Sequence, residues 1–169
     1  TLPIWMAARA TSAAPTYFEP AELPIDSGTA VLVDGGVFVN NPAASAYAEA
    51  MRGWRGEDIL VVSVGTGSET GSFNFSDAQH WGKVEWIQPL IHIVFDGVSD
   101  AVDYQMEYML GKRYVRLQIA LRNANPDLGD ATPTNLAKLE MEAERLLAAH
   151  QPEIDTICKL LAPASSVTV

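Results

Sequence analysis

The stretch Val31-Leu32-Val33-Asp34-Gly35-Gly36-Val37-Phe38-Val39-Asn40-Asn41-Pro42 sets the reading of this chain. A short apolar run, Ala30 to Val33, predicts a strand that ends on an acid, Asp34. Gly35 and Gly36 follow at once, and Val37 to Val39 reads as the strand continuing beyond them. Paired glycines allow φ > 0 and let another group come close to the backbone. An aspartate on such a turn fits a catalytic or binding carboxylate. It fits an ordinary turn equally well in kind, because Asp-Gly is a favoured hairpin dipeptide. The residues alone leave both readings open. Asn41-Pro42 predicts a helix start, with Asn as N-cap and Pro at the first helical position, where its missing N–H costs nothing. That helix is expected to run through Ala43 to about Arg52, with Ala44, Tyr47, Ala48 and Met51 on one face, and to stop at Gly53.

Outward from this stretch, Ile4 to Ala14 is small and apolar and predicts a tightly packed helix, broken at or before Pro15. Thr16 to Pro24 reads as turn-rich and carries Tyr17 and Phe18; Asp26-Ser27-Gly28 reads as a turn. Downstream, Ile59 to Val64 is a continuous apolar run rich in β-branched residues, expected as a strand buried on both faces in a parallel sheet. Ser68 to Ser76 is expected as a surface loop. From Trp81 the pattern becomes helical, with Val94, Val98, Ala101, Val102, Gln105, Met106 and Met109 on one face and Asp96, Asp100, Asp103 and Glu107 on a solvated one. Tyr114 to Leu121 alternates as a half-covered strand does. Thr132-Pro133 opens a helix whose apolar stripe is Leu136, Leu139, Ala143, Leu146 and Leu147, and Pro152 opens a last short helix, Glu153 to Leu161. Residues 1–161 read as one domain and 162–169 as a frayed tail.

The chain has 169 residues, 48% apolar and 19% charged, with a formal net charge of −10. That charge argues against nucleic acid as a partner and against electrostatic attraction to an anionic membrane. Cys158 is the only cysteine, so no intrachain disulfide and no cysteine metal cluster can form. This fits a reducing, cytoplasmic setting. The chain opens T-L-P-I-W-M, with no initiator Met and apolar sequence within two residues, and so reads like the middle of a domain.

Other chemistry finds little footing. His80, His92 and His150 lie in different elements with no ligand spacing between them, so they read as surface or packing residues, and no metal or cofactor is expected. Gly65-Thr66-Gly67 follows a strand, as a dinucleotide-binding loop would, but no apolar-periodic helix follows, so a strand-end turn is the better reading. The acidic stripe 96–107 reads as a wet helix face, because carboxylates on one face do not fold around an ion. No serine sits in G-x-S-x-G; Ser63, in V-V-S-V-G, reads as a core residue, and Cys158 as structural.

Three motifs together carry a resemblance. Ala8 to Pro20 (A-R-A-T-S-A-A-P-T-Y-F-E-P), Val33 to Pro42 (V-D-G-G-V-F-V-N-N-P) and Val62 to Gly67 (V-S-V-G-T-G) closely resemble, in order and interval, the C-terminal half of patatin-like phospholipases. Asp103 to Gln105, Gly111 to Gln118 and Asp130 to Leu136 resemble the bacterial members of that family. The resemblance implies an α/β fold: part of an α/β/α sandwich around a mostly parallel sheet. It implies ester hydrolysis of phospholipids and other lipids by a serine–aspartate dyad without histidine or cofactor, with Asp34 as the base. Gly35 and Gly36 would let Asp34 approach the serine, Asn41 and Pro42 would fix the helix leaving the turn, Ala8 to Ala14 would pack near the site, and Tyr17 and Phe18 would line an acyl pocket or pack in the core.

The family's nucleophile elbow and oxyanion loop lie N-terminal to everything in this chain. The expectation is therefore a C-terminal portion, inactive by itself, since the nucleophile and oxyanion donors are what such catalysis rests on. A patatin-like scaffold without a nucleophile, serving in binding or regulation, is the alternative. Expected partners are a lipid ester, transient contact with a membrane surface, and either a second copy or the missing N-terminal half, because a sheet lacking strands leaves open edges and bare apolar faces.

Overall fold

The computed structural model describes residues 2–68 and 74–162, without the side chain of residue 88. The expected tail and part of the loop after Ser68 lie outside the described residues. The chain divides into two compact units, Thr1–Val61 with Ser72–Tyr114, and Val62–Gly71 with Val115–Val169. It is mixed α/β, but the described residues do not form one mostly parallel sheet. They form two sheets of two strands each.

In the first unit, helix α1 (Ile4–Thr11) leads into an antiparallel hairpin of β1 (Ala21–Ile25) and β2 (Gly28–Leu32), with Ala21 opposite Leu32 and Ile25 opposite Gly28. Asp26 and Ser27 form a two-residue loop, and Gly28, at φ 135°, takes backbone that other residues avoid. Strand β1 was unexpected in a stretch that reads as turns. It forms because Ala21 and Leu23 alternate inward and pack on Ala10 and Ala13, with Met6 beside them. Val37 to Val39 does not continue the strand: Gly35–Val37 is a turn of 3₁₀ helix. Helix α2 (Ala43–Gly53) starts where the Asn-Pro signal puts it, with Asn41 Oδ1 accepting from the Ala43 N–H at 3.2 Å.

Strand β3 (Val61–Val64) is shorter than the apolar run that predicts it, and Val62 and Val64 are exposed, so it is not covered on both faces. After α3 (Phe75–Ala78), the long helix α4 (Ile87–Leu110) packs against α2. Their seam is Ala43, Met106, Leu110 and Tyr114, flanked by Ala44, Tyr47, Val61 and Val102. Asp103 is not solvated as the acidic stripe suggests; its Oδ1 accepts from the Tyr114 hydroxyl at 2.7 Å. Val94, Ala101, Gln105 and Met109, expected on the covered face, are exposed. No described helix is long and apolar enough to cross a membrane.

In the second unit, β3 pairs with β4 (Tyr114–Leu117), and a parallel bridge between Ser68 and Ala120 prolongs the pairing. The glycines of Gly65-Thr66-Gly67 are explained by Gln118. A Cβ at Gly65 would stand 2.6 Å from Gln118 Cδ, and Gln118 Oε1 accepts from the Gly67 N–H at 3.0 Å. The His150 ring donates through Nε2 to the Gln118 carbonyl at 3.2 Å. These contacts fit the motif's reading as a strand-end turn packed on Gln118.

Helix α5 (Pro133–Ala149) is capped by Thr132, whose side chain accepts from the Asn135 N–H. Its anchoring follows the expected stripe only in part: Leu139 and Leu146 are half-buried, but Ala143 is exposed. Leu136 and Leu147 are 52% and 53% exposed, whereas Asn135 and Glu142 are each 4% exposed. Asn135 Oδ1 accepts from the Asn125 N–H at 2.8 Å, and its Nδ2 donates to the carbonyls of Asn125 and Asp130, both at 3.0 Å. Glu142 Oε1 accepts from the N–H groups of Arg122 and Asn123, both at 2.9 Å, and its Oε2 pairs with Arg145. A loop with free backbone donors takes a carboxylate in preference to a leucine, because each unpaired buried N–H costs more than an apolar contact returns. The last helix, α6 (Gln151–Leu161), carries Cys158 on its exposed side.

Two measurements test this arrangement. Met106 is fully buried, and Met106→Ala is expected to lower stability by about 2–5 kcal/mol in urea unfolding, as for other buried Met truncations. The Arg145 guanidinium, then the two backbone N–H groups, hold the Glu142 carboxyl at about 2. A carboxyl lowered on folding contributes stability that is complete above its ordinary value of 4.5 and is lost as pH falls toward about 2. Thermal melting should therefore fall across that window, and Glu142→Gln should flatten the fall.

Candidate active site

Asp34 caps the 3₁₀ turn. Its Oδ1 accepts from the Gly36 N–H at 2.6 Å, while its own N–H donates to the Ala13 carbonyl at 2.9 Å. The turn closes on itself through the Phe38 and Val39 N–H groups, which donate to the Gly35 carbonyl at 3.1 and 2.7 Å. Capture of the Gly36 N–H by the side chain is what curls the backbone out of the strand. The second carboxylate oxygen, Oδ2, takes no hydrogen bond among the described residues, and the side chain is half-buried. Such a carboxylate is held by one oxygen and can accept a proton or a donor at the other.

The two glycines play unequal parts, and neither takes φ > 0 as the turn reading expects. A Cβ at Gly35 would meet only Thr11 Oγ1, at 3.8 Å. A Cβ at Gly36 would stand 3.0 Å from Asp34 Oδ1 and 3.7 Å from Asn40 Oδ1. Only Gly36 is needed for close approach, and what approaches is Asp34 itself.

Asn41 is 2% exposed. Its Nδ2 donates to the Ser99 carbonyl on α4 at 3.3 Å. Sequence reading missed its neighbour: Asn40 Nδ2 donates to the Phe95 carbonyl, also at 3.3 Å. The signal was the doubled amide itself, since a single N-cap before Pro42 needs only one. Segment 8–14 does lie at the turn, through Ala13 and Thr11. Tyr17 and Phe18 are exposed. Arg9 Nη2 donates to the Glu19 carbonyl at 2.7 Å and its guanidinium carbon lies 6.0 Å from the Phe18 ring centroid, which holds the loop between α1 and β1. Ser63 is buried in β3 and accepts from Arg116 Nη1 at 2.8 Å. Apolar side chains near Asp34 in sequence are open to solvent, Phe38 at 86% among them. Among the described residues no three of His, Cys, Asp and Glu come together as a metal needs.

The unequal glycines give a direct test in urea unfolding. Gly36→Ala should cost about 1–3 kcal/mol, as overpacking does. Gly35→Ala should be neutral or stabilising by up to about 1 kcal/mol, because it only restricts the unfolded chain.

No family model matches the chain. It is 33% identical over 168 residues to Patatin-like protein 6 of Arabidopsis thaliana, covering 89% of this chain and 34% of that protein. It is 34% identical over 131 residues to Probable inactive patatin-like protein 9 of the same plant, covering 68% of this chain and 33% of that protein. To the 85/88 kDa calcium-independent phospholipase A2 of Rattus norvegicus it is 28% identical over 189 residues, covering 94% of this chain and 22% of that protein. These relatives are plant and rat proteins and lend nothing to a specifically bacterial type. The chain spans about a third of the length of these two plant relatives. Similarity at this level over most of the chain supports the patatin-like family.

Proposed function

We propose that this chain is the C-terminal portion of a patatin-like acyl hydrolase, its elements part of an α/β/α sandwich, with Asp34 as the base of a serine–aspartate dyad. The observation that carries the reading is the state of the Asp34 carboxylate: Oδ1 is tied to the Gly36 N–H, and Oδ2 has no hydrogen-bond partner among the described residues. No serine of this chain lies in G-x-S-x-G, so the nucleophile comes from sequence outside it. Asp34 Oδ2 takes the nucleophile serine's proton as its oxygen attacks the ester carbonyl. An acyl-enzyme forms as the ester C–O bond breaks and Asp34 returns that proton to the departing alkoxide, which leaves as the alcohol. Water then attacks the acyl group while Asp34 takes its proton and passes it to the serine oxygen as the acyl bond breaks. An ordinary aspartate is a weak base for a hydroxyl, so the rate rests on orientation and on oxyanion donors supplied from outside this chain. The likeness to the rat calcium-independent phospholipase A2 supports a phospholipid as the ester, met at a membrane surface.

Asp34→Asn in the full-length gene product should lower ester hydrolysis about 10²- to 10⁴-fold, the usual weight of a general base. A rate near wild type on phospholipid vesicles ends this reading. A second reading, a patatin-like module without activity, is favoured by the likeness to a relative named as probably inactive. The full-length coding sequence separates the two, since the second requires that no G-x-S-x-G follows a strand-forming run.

A further inference from the structure

We propose that Asn40 and Asn41 are positioning residues for Asp34, hanging its turn from two carbonyls one helical turn apart on α4. The inference rests on Asp34 being the base. Phe95 and Ser99, whose carbonyls accept the two amides, are four residues apart. In an α-helix that spacing puts the two carbonyls on the same face, about 6 Å apart along the axis. Neighbouring Cα atoms of Asn40 and Asn41 are only about 3.8 Å apart. Their side chains therefore straddle one turn of α4. A pair of bonds set this way resists both sliding along the helix and rotation about it, which a single bond does not.

The amide orientations are fixed by chemistry. Asn41 Oδ1 accepts from the Ala43 N–H, so the NH₂ group is the one that faces the Ser99 carbonyl. At Asn40 the acceptor is again a carbonyl, so the side chain there must donate. Aspartate at either position would set acceptor against acceptor.

The anchoring reaches the carboxylate because the turn between them is closed. The Val39 N–H donates to the Gly35 carbonyl at 2.7 Å, and the Gly36 N–H donates to Asp34 Oδ1 at 2.6 Å. Asn40 Oδ1 also lies beside Gly36, 3.7 Å from where its Cβ would stand. A shift of Asn40 on α4 is therefore passed to Gly36 and through it to the oxygen that orients Asp34. The opposite side of the turn is held by the Ala13 carbonyl, so the carboxylate is fixed between the segment that follows α1 and α4.

Asn40 is exposed, so its variants should keep the fold; Asn41 is buried, and Asn41→Asp serves only as a supporting variant. The test compares Asn40→Ala and Asn40→Asp with wild type in the full-length gene product, labelled with ¹⁵N-glycine. Initial rates of hydrolysis on phospholipid vesicles are measured beside the Gly36 amide resonance. With positioning, kcat falls about tenfold or more with KM changed less than twofold, because a small misplacement of a catalytic group is costly, and the Gly36 amide proton moves upfield as its bond to Asp34 loosens. An unmoved Gly36 resonance, or a moved one with kcat unchanged, overturns the proposal. If the wild-type protein hydrolyses no ester, the function proposed for Asp34 fails by itself. The Gly36 resonance then decides the anchoring alone: moved, it stands, and unmoved, it falls.

Discussion

The hydrogen bond from the Asp34 N–H to the Ala13 carbonyl is the constraint on which the first unit depends. Ala13 is fully buried, and a buried carbonyl left unpaired would be costly. That one bond closes a loop containing the β1–β2 hairpin, whose Ala21 and Leu23 cover Ala10 and Ala13 in turn. A hairpin alone is marginal in water; here it is stable because α1 supplies its second layer. The small residues of the A-R-A-T-S-A-A run are what allow a helix, a strand and an acidic turn to meet so closely. Larger side chains would separate Ala13 from Asp34 before they separated the helix from the sheet.

The two units place their helices by different mixes of contact. In the first, α2 meets α4 through apolar contacts around Met106, which are tolerant of direction, and the Asn40 and Asn41 amides add directional bonds to carbonyls of α4. In the second, α5 is placed by Asn135, Glu142 and Arg145 on backbone groups of the segments 120–130. Such bonds are directional, so they fix the rotation and height of the helix as well as its nearness. Asp130 belongs to the same system: the Thr132 hydroxyl, then the Asn125 amide, hold its carboxyl below the ordinary value.

Much of this was legible in the sequence where local chemistry decides. Asn41-Pro42 marked the start of α2, Thr132-Pro133 that of α5, and Gly65 to Gly67 the end of β3. Asp34 stood out by its place between an apolar run and two glycines, a pattern that fits an ordinary turn as well, so its role as a base was carried by the resemblance alone. What was illegible depends on partners distant in the chain. Ala21 to Ile25 reads as turn because Pro24 and Glu22 mask an alternation that only α1 makes meaningful. Val37 to Val39 looks like strand because apolar residues carry no mark of a side-chain acceptor waiting at Asp34. The buried face of α5 was read only in part for the same reason: Leu139 and Leu146 of the visible leucine stripe are half-buried, whereas two backbone N–H groups awaiting Glu142 leave no mark in the sequence. Asn40 went unread because its acceptor, the Phe95 carbonyl, has no side-chain signature at all.

The short bond between Asp34 and Gly36 has one more consequence. In a free carboxylate the two oxygens are equivalent and exchange by rotation about the last side-chain bond. Here that rotation would break a bond and leave the Gly36 N–H without its acceptor, so the oxygens keep separate identities. The two oxygens are then unequal partners: Oδ1 is committed to the Gly36 N–H, and Oδ2 meets its surroundings in a direction the turn has already chosen.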